Sequence, residues 1–251
     1  MNTLELIGTK YGTDKVTHGY MEIYASYFEK NKEKEITLLE IGVYNGASIV
    51  TWREYFPHAY IVGMDVEDKT PLFNSLPGRN RFFIGDQGDA KDLESICEKI
   101  NNDTGKGFDI VIDDGSHFQH DMMFSFGKLF PHMNKGGVYV IEDMCQAKDL
   151  ETGSRWWGSP DENHQYTNLP GIKLSTLQKK NWLPNGKKNL YYSAETTMKR
   201  FEETKVFDSA FLTDEDCSYV TKNSASIKFF KATEPPLSPR CLSSVAAVEH
   251  V

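Results

Sequence analysis

The chain has 251 residues, of which 39% are hydrophobic, 25% charged and 12% aromatic, so it is long enough to bury a full core. This composition excludes a disordered or a fibrous chain, and no apolar run approaches the roughly 18 residues of a membrane span. The formal net charge of −8 argues against nucleic acid as the main partner, because that affinity comes from neutralising phosphates.

The N-terminus and the cysteines predict a soluble, cytoplasmic protein. Residues 1–5 lack the basic and apolar regions of a secretion signal. The four cysteines contain no C-x-x-C pair, so both a zinc site and a disulfide framework are disfavoured. We expect reduced thiols at Cys97, Cys145, Cys217 and Cys241.

Helical spacing of apolar side chains begins in the first thirty residues, where Tyr20, Ile23, Tyr24 and Phe28 share one face. Five short apolar runs follow and predict strands at 36–41, 60–65, 81–86, 108–114 and 137–143. Helices are predicted between them at 47–55, 90–100 and 119–130. Strands that alternate with helices predict an α/β fold, a Rossmann-like, doubly wound and mainly parallel sheet.

The alternation stops after residue 143. The pattern there predicts a loop or lid at 152–168, a helix at 174–182, and closing strands at 190–192, 206–207 and 226–230. The stretch from residue 235 onward is rich in Pro and Ser, so we expect it to be peripheral. Because no repeat divides the chain, we predict a single domain, with an N-terminal segment at 1–34 and an acceptor-side lid or insertion at about 145–190.

Polar residues follow the predicted strands at the points where the strands end. In a parallel sheet these carboxyl ends meet at one rim, and ligands bind there. We therefore expect six residues to converge on this rim: Gly42, Asp65, Asp86, Asp114, Glu142 and Asp143.

The motif Glu40-x-Gly42-x-x-x-Gly46-x-Ser48, with Asp65 downstream, predicts a nucleoside pocket. Glycines allow close backbone approach to a ligand, and an acid at the end of the second strand can accept both ribose hydroxyl protons. The spacing is not G-x-G-x-x-G, which disfavours a pyrophosphate cradle. An ordinary tight turn is the alternative for the glycines. Asp86 and Gln87 are candidates for contacts with an adenine edge, or else they cap a helix.

The motif Asp113-Asp114-Gly115-Ser116-His117 and the pair Glu142-Asp143 predict a metal site. If the fourth and fifth strands are neighbours, Asp114, Glu142 and Asp143 face one cleft. Three carboxylates at close range raise each other's pKa unless a cation lies among them, and oxygen ligands select Mg²⁺. His117 is a natural general base beside them. The alternatives are helix capping by these acids and a metal hydrolase.

Together these motifs resemble class I S-adenosylmethionine-dependent methyltransferases, and within them the macrolide, rhamnosyl and capsule sugar O-methyltransferases. The resemblance covers about residues 8–143. Its motifs are Lys-Tyr-Gly-Thr-Asp-Lys (10–15) with His18 and Tyr20, Leu-Glu-Ile-Gly-Val (39–43), Gly-Ala-Ser (46–48), Gly-Asp-Gln (85–87), Ile-Asp-Asp-Gly-Ser-His (112–117) and Tyr-Val-Ile-Glu-Asp (139–143).

The resemblance implies a role for each matching residue. S-adenosylmethionine would contact Glu40, Gly42, Ser48 and Asp113, with its ribose on Asp65 and its adenine near Asp86 and Gln87. The segment with Tyr11, Thr13 and Lys15 would close over its methionine end. Asp114, Glu142 and Asp143 would bind Mg²⁺, and His117, with Asp114 beside it, would take the acceptor proton.

The expected acceptor is a sugar hydroxyl with a neighbouring hydroxyl, on a nucleotide-linked sugar, a capsule heptose or a natural-product glycoside. A homodimer is the default expectation for such an enzyme. The alternatives are an NAD-type oxidoreductase that uses Gly42 and Asp65, a cephalosporin-hydroxylase-like enzyme on the same fold, and a silent nucleoside-binding protein. The absent dinucleotide motif argues against the first, and the intact acid cluster argues against the last.

Overall fold

The computed structural model describes residues 1–144, 194–209, 211–231 and 244–251. Its strands are β1 (Thr37–Ile41), β2 (Tyr60–Asp65), β3 (Asn80–Ile84), β4 (Phe108–Asp113), β5 (Met133–Ile141), β6 (Ser224–Lys231) and β7 (Ser244–His250). They form one seven-stranded sheet in the order β3-β2-β1-β4-β5-β7-β6. Strands β1 to β5 pair in parallel, whereas β7 is antiparallel to both β5 and β6. The predicted mainly parallel α/β sheet is confirmed.

Helices cover both faces of this sheet. They are α1 (Thr3–Tyr11), α2 (Tyr20–Phe28), α3 (Ala47–Tyr55), α4 (Thr70–Ser75), α5 (Ala90–Thr104), α6 (Gln119–Leu129), α7 (Ala194–Thr204) and α8 (Asp214–Asn223). Helices α1 to α4 pack in one buried cluster and α5 to α8 in the other. Successive strand residues face opposite sides, so Leu38 joins the first cluster and Leu39 the second.

The order of the strands positions the functional rim. Because β1 lies between β2 and β4, and β5 lies next to β4, the turns that follow these four strands are neighbours. The predicted limits agree with those of β2 and α3, whereas β5 begins four residues earlier than its predicted start at residue 137. Strand β5 continues through Gly136, whose φ of +76° would strain most other residues.

The prediction for the C-terminal region was partly wrong. Instead of lying at the periphery, Ser244–His250 forms β7, whose Ala246 and Ala247 are fully buried and face opposite clusters. Strand β6 includes the predicted strand 226–230, but Val206 and Phe207 lie in irregular chain after α7. The predicted lid at 145–190, loop at 152–168, helix at 174–182 and strand at 190–192 lie outside the described residues.

Two of the four cysteines can be described. Cys97 and Cys217 are buried free thiols, and burial raises the pKa of Cys97 to about 12. Cys145 and Cys241 lie outside the described residues. Within the described parts of the chain, no helix has the length and apolar character needed to cross a membrane.

Candidate functional site

A cavity of about 640 Å³ opens at the rim where β1, β2 and β4 end. This volume lies within the range of small-molecule and cofactor sites. Its lining includes many of the predicted site residues, namely Thr13, Lys15, Gly42, Ser48, Asp65, Asp86, Gln87, Asp114, His117 and Asp143. The described residues that line the cavity do not include four of the predicted site residues, namely Tyr11, Glu40, Asp113 and Glu142.

The turn after β1 packs directly against the turn after β4. Gly42 has a φ of +85°, and a Cβ at this position would lie 2.0 Å from the carbonyl oxygen of Asp114. Gly46 has a φ of +82° and precedes α3, where a Cβ would lie 2.3 Å from Leu72 Cδ2. Both glycines are therefore required by the backbone, and Gly42 also forms part of the cavity wall.

Asp65, at the end of β2, organises the same turn. Its Oδ2 accepts hydrogen bonds from the backbone N–H groups of Val43 (2.8 Å) and Tyr44 (3.1 Å). Its Oδ1 accepts from the N–H of Glu67 at 3.0 Å. The carboxylate thus holds the loops after β1 and β2 together at the edge of the cavity, where a ribose was predicted.

Asp86 and Gln87 border the cavity, but their side chains act differently. Asp86 Oδ1 accepts from the backbone N–H of Gly88 at 2.8 Å. Gln87 is buried; its Nε2 donates to Asp113 Oδ1 at 2.9 Å, and its Oε1 accepts from the N–H of Ser116 at 2.7 Å. Since both ends of the Gln87 amide are used inside the protein, its arrangement does not support the predicted adenine contact.

Asp113 lies beneath the cavity, in the core. Its carboxylate accepts hydrogen bonds from Gln87, from Ser125 Oγ (2.5 Å) and from Tyr139 Oη (3.3 Å). Burial raises its pKa to about 6, although these hydrogen bonds favour the ionised form. Asp113 thus supports the loop that follows β4 and is not among the described residues that line the cavity.

Glu40 is fully buried at the end of β1, behind Ser48. Its Oε2 accepts from Ser48 Oγ at 2.9 Å and from Trp52 Nε1 at 3.0 Å. Burial raises the pKa of Glu40 to about 7, and Lys15 opposes that shift. Ser48 is therefore the member of this pair that reaches the cavity wall.

Lys15, which comes from the loop between α1 and α2, is 1% exposed. Its Nζ lies 2.6 Å from Asp114 Oδ2, 2.8 Å from Glu142 Oε1 and 3.4 Å from Glu40 Oε1. Burial lowers the pKa of Lys15, but the three carboxylates outweigh burial and raise it well above 10.5. Lys15, which was expected to close over the methionine end of the donor, is thus paired with acids of the protein.

The other two residues of the N-terminal motif differ in position. Thr13 is buried and lines the cavity. The Tyr11 hydroxyl donates to Glu54 Oε2 on α3 and lies away from the cavity.

Asp114, His117 and Asp143 form a compact group at the cavity wall. Each offers one potential ligand atom, and these atoms all lie within 4.8 Å of one another. Asp114 Oδ1 is 3.8 Å from His117 Nε2. Mg²⁺ takes oxygen ligands, so the carboxylates of Asp114 and Asp143 fit this cation, whereas the imidazole of His117 is not a donor that Mg²⁺ prefers.

Glu142 lies next to this group but faces the protein interior. Its Oε1 accepts from the Tyr24 hydroxyl and pairs with Lys15. Burial, together with the neighbouring Asp114, raises the pKa of Glu142 well above 4.5. Glu142 is therefore buried beside Asp114, and its described contacts are with Lys15 and Tyr24.

Backbone strain is concentrated at the same cavity. Four non-glycine residues of the described chain have positive φ, and three of them line the cavity: Tyr44 (+47°), His117 (+55°) and Asp143 (+52°). Such conformations cost about 1–3 kcal/mol each and persist where the surroundings impose them. Their clustering here is typical of a functional site.

Two tyrosines of α2, which are not among the predicted site residues, contact the acids of the rim. Tyr20 donates its hydroxyl to Asp143 Oδ1, and Tyr24 donates to Glu142 Oε1. Their spacing of four residues, shortly after Lys15, places them on one face of the helix. The spacing predicts a core-facing pattern, and the family resemblance includes Tyr20 but assigns it no role.

No family model matches the chain. It is 37% identical over 153 residues to mycinamicin VI 2''-O-methyltransferase of Micromonospora griseorubida, covering 57% of this chain and 36% of that protein. It is 35% identical over 137 residues to demethylmacrocin O-methyltransferase of Streptomyces fradiae, covering 52% and 33% respectively. The chain thus matches about a third of the length of these curated relatives.

A solved structure of the MycE methyltransferase of the mycinamycin biosynthetic pathway, in complex with Mg and SAH, extends the likeness. It superposes with a TM-score of 0.64 at 27% identity, over 99% of this chain and 53% of that one. The chain is therefore a relative of the macrolide and glycoside O-methyltransferases, with the class I S-adenosylmethionine-dependent methyltransferase fold.

Proposed function

We propose that this chain is an S-adenosylmethionine-dependent O-methyltransferase that acts on a sugar hydroxyl of a natural product, with Mg²⁺ as cofactor. The observation that carries the proposal is the group of Asp114, His117 and Asp143 at the wall of a cavity of about 640 Å³. The sequence likeness to several O-methyltransferases, one of them named for a rhamnosyl tetracenomycin, supports the same activity.

The donor would occupy the part of the cavity beside β1 and β2. When bound, S-adenosylmethionine supplies a methyl group carried on a positively charged sulfur. Asp65 would accept hydrogen bonds from the ribose hydroxyls, and Asp86 would lie at the adenine side. Gly42 lets the backbone approach the donor closely.

The acids of the rim would hold Mg²⁺ beside the donor. Bound Mg²⁺ lowers the pKa of an acceptor hydroxyl and fixes its orientation. Asp114 and Asp143 would be ligands, and Glu142 is the third predicted ligand, although its described contacts, with Tyr24 and Lys15, are on the side of the protein interior. The MycE methyltransferase, which was solved with Mg, SAH and mycinamycin VI, supports this cofactor.

His117 would be the general base. Its Nε2 lies on the side of Asp114, so it is placed to accept a proton from a hydroxyl held at the acids. The negative charge of Asp114 would stabilise the imidazolium that forms. The backbone strain at His117 is consistent with a side chain whose direction is imposed by the loop.

For the acceptor, we propose a glycoside of a natural product. Two curated relatives are named for mycinamicin VI and for demethylmacrocin. A third relative, a 32% identical protein from Streptomyces olivaceus, is named for a rhamnosyl tetracenomycin. Nucleotide-linked sugars and capsule heptoses are the other acceptors to compare.

The test is methyl transfer from isotope-labelled donor to these three acceptor classes, with Mg²⁺ and with EDTA. We expect transfer to at least one glycoside, loss of transfer in EDTA, and calorimetric binding of SAH. Binding of NADH instead of SAH would contradict the proposal and would favour an oxidoreductase.

A further inference from the structure

One N-terminal segment, residues 15–24, contacts the acids that end β4 and β5. Lys15 Nζ lies 2.6 Å from Asp114 Oδ2 and 2.8 Å from Glu142 Oε1. Tyr24 donates its hydroxyl to the same Glu142 oxygen, and Tyr20 donates to Asp143 Oδ1. Lys15, Tyr20 and Tyr24 are each at most 1% exposed, so these contacts are screened from water.

The two tyrosines match the two acids in register. Tyr20 and Tyr24 are four residues apart on α2, so their side chains lie on the same face of the helix. Glu142 and Asp143 are consecutive residues at the end of β5, and Asp143 has a φ of +52°. Tyrosines one helical turn apart on α2 therefore donate hydrogen bonds to two neighbouring carboxylates.

The tyrosine rings have little freedom to move. Tyr24 stacks on Phe28 with ring centroids 5.0 Å apart and meets Trp52 edge-on at 5.5 Å. Tyr20 packs edge-on against Tyr24 at 6.4 Å. Because aromatic packing holds the rings, the hydroxyl oxygens are fixed points to which the carboxylates are hydrogen-bonded.

Lys15 and Tyr24 each contact one particular oxygen of a carboxylate. Lys15 meets Oδ2 of Asp114, whereas Oδ1 of the same carboxylate lies 3.8 Å from His117 Nε2. The contacts of Tyr24 and Lys15 with Glu142 both reach Oε1. A carboxylate held by one oxygen has a defined rotation, and this rotation decides where its other oxygen points.

We infer that Lys15, Tyr20 and Tyr24 are positioning residues that orient Asp114, Glu142 and Asp143 for a divalent cation. The segment before and within α2 is then part of the cation site, in addition to any contact with the methyl donor. This inference rests on the proposed function, since it requires that these acids bind a cation. Outer hydrogen-bond partners of metal ligands commonly change metal affinity by about 10–100-fold.

The test compares Tyr20→Phe and Tyr24→Phe with Tyr27→Phe in the full chain. Tyr27 is also buried on α2, but its hydroxyl has no hydrogen-bond partner among the described residues. The affinity for Mn²⁺, used in place of Mg²⁺, is measured by electron paramagnetic resonance, and SAH binding is measured by calorimetry. We expect Mn²⁺ affinity to fall about 10-fold or more in the first two variants. Tyr27→Phe keeps wild-type Mn²⁺ affinity, and all three bind SAH as the wild type does.

A purely structural role predicts a different pattern. Tyr20→Phe and Tyr24→Phe would then lower the melting temperature but bind Mn²⁺ as Tyr27→Phe does, and that result overturns the inference while the proposed function stands. Tighter Mn²⁺ binding in both variants also overturns it. Absence of Mn²⁺ binding in the wild type overturns the inference and the metal part of the proposed function together. Normal Mn²⁺ results without SAH binding overturn the proposed activity alone.

Lys15→Met is a second variant, with the exposed Lys10→Met as its control. Loss of Lys15 leaves Asp114 and Glu142 without their shared ammonium, so melting curves are needed to show that the variant folds. Loss of the ammonium also removes its repulsion of a second cation, so weaker Mn²⁺ binding, by about 10-fold, in a folded Lys15→Met protein reports the loss of orientation. Wild-type or tighter Mn²⁺ binding in that folded variant would remove Lys15 from the set of positioning residues.

Discussion

Gln87 bridges two parts of the β4 carboxyl end: its Nε2 donates to Asp113 Oδ1 at 2.9 Å while its Oε1 accepts from the Ser116 N–H at 2.7 Å. The bridge spans the turn that carries Asp114 and leads to His117. A side chain in the loop after β3 therefore braces the loop that carries the proposed base. The brace is tight, because a Cβ on Gly115 would lie 1.8 Å from Gln87 Oε1.

Replacement of Gln87 by Leu should destabilise the protein. The change leaves the buried Asp113 without one of its donors, at a cost of about 1–3 kcal/mol, and leaves the partly buried N–H of Ser116 without its acceptor. Urea unfolding measures the change, with the exposed Asn101→Leu as the control. Equal free energies of unfolding for the two variants would mean that the bridge contributes nothing to stability.

Gly42→Ala should abolish SAH binding and destabilise the fold more than Gly105→Ala. Both glycines have positive φ, at +85° and +70°, but a Cβ would meet Asp114 only at position 42 and nothing within 4 Å at position 105. Gly105→Ala therefore reports the conformational cost alone, about 1–2 kcal/mol. Calorimetry and thermal melting provide the comparison, and similar losses in both variants would contradict a steric role for Gly42.

His117→Asn should lower the rate of methyl transfer about 10²–10⁴-fold, the usual contribution of a general base. Asn tolerates the left-handed backbone at this position better than Ala does, so the variant tests the imidazole without added strain. SAH affinity is expected to stay at the wild-type value. The exposed His58→Asn is the control, and an equal loss of rate there would argue against His117 as the base.

Glu40→Gln should change how stability depends on pH. Burial raises the pKa of Glu40 from 4.5 to about 7 in the folded protein, so its favourable contribution is complete below pH 4.5 and is lost as pH rises through 7. Relative to the wild type, the variant should gain up to about 3 kcal/mol between pH 4.5 and 8. Unfolding at several pH values measures this trend. The exposed Glu22→Gln should show no such trend.

Removal of the cation should stop the reaction without unfolding the protein. EDTA is expected to abolish methyl transfer, and added Mg²⁺ should restore it, because Asp114 and Asp143 are the proposed ligands. Asp114→Asn should need more Mg²⁺ for half-maximal rate, since it replaces a carboxylate with a neutral amide. Full activity of the wild type in EDTA would contradict the cation site.

Several features of the rim follow from local sequence alone. Apolar runs that alternate with helical patterns determine parallel strands, and parallel strands bring their ends to one rim. The structure accordingly brings Asp65, Asp86, Asp114 and Asp143 to one cavity, as expected from their positions after strands. The position of an element's end is a local property, which is why it could be predicted.

The direction of each polar side chain depended on tertiary packing. Gln87 and Asp113 follow the same local rule as their neighbours, yet they point into the core and bond to each other. Likewise, β7 was mistaken for a peripheral tail because its burial comes from β5 and β6, which are distant in sequence.

The sequence by itself determined the α/β alternation, the glycine turn and the set of acids at the rim, since these depend on neighbouring residues in the chain. Only the tertiary structure decided that Lys15, Tyr20 and Tyr24 meet Asp114, Glu142 and Asp143, across more than 90 positions of sequence. A buried polar group must find a hydrogen-bond partner, but which partner it finds is settled by the packing of α2 against the strand ends.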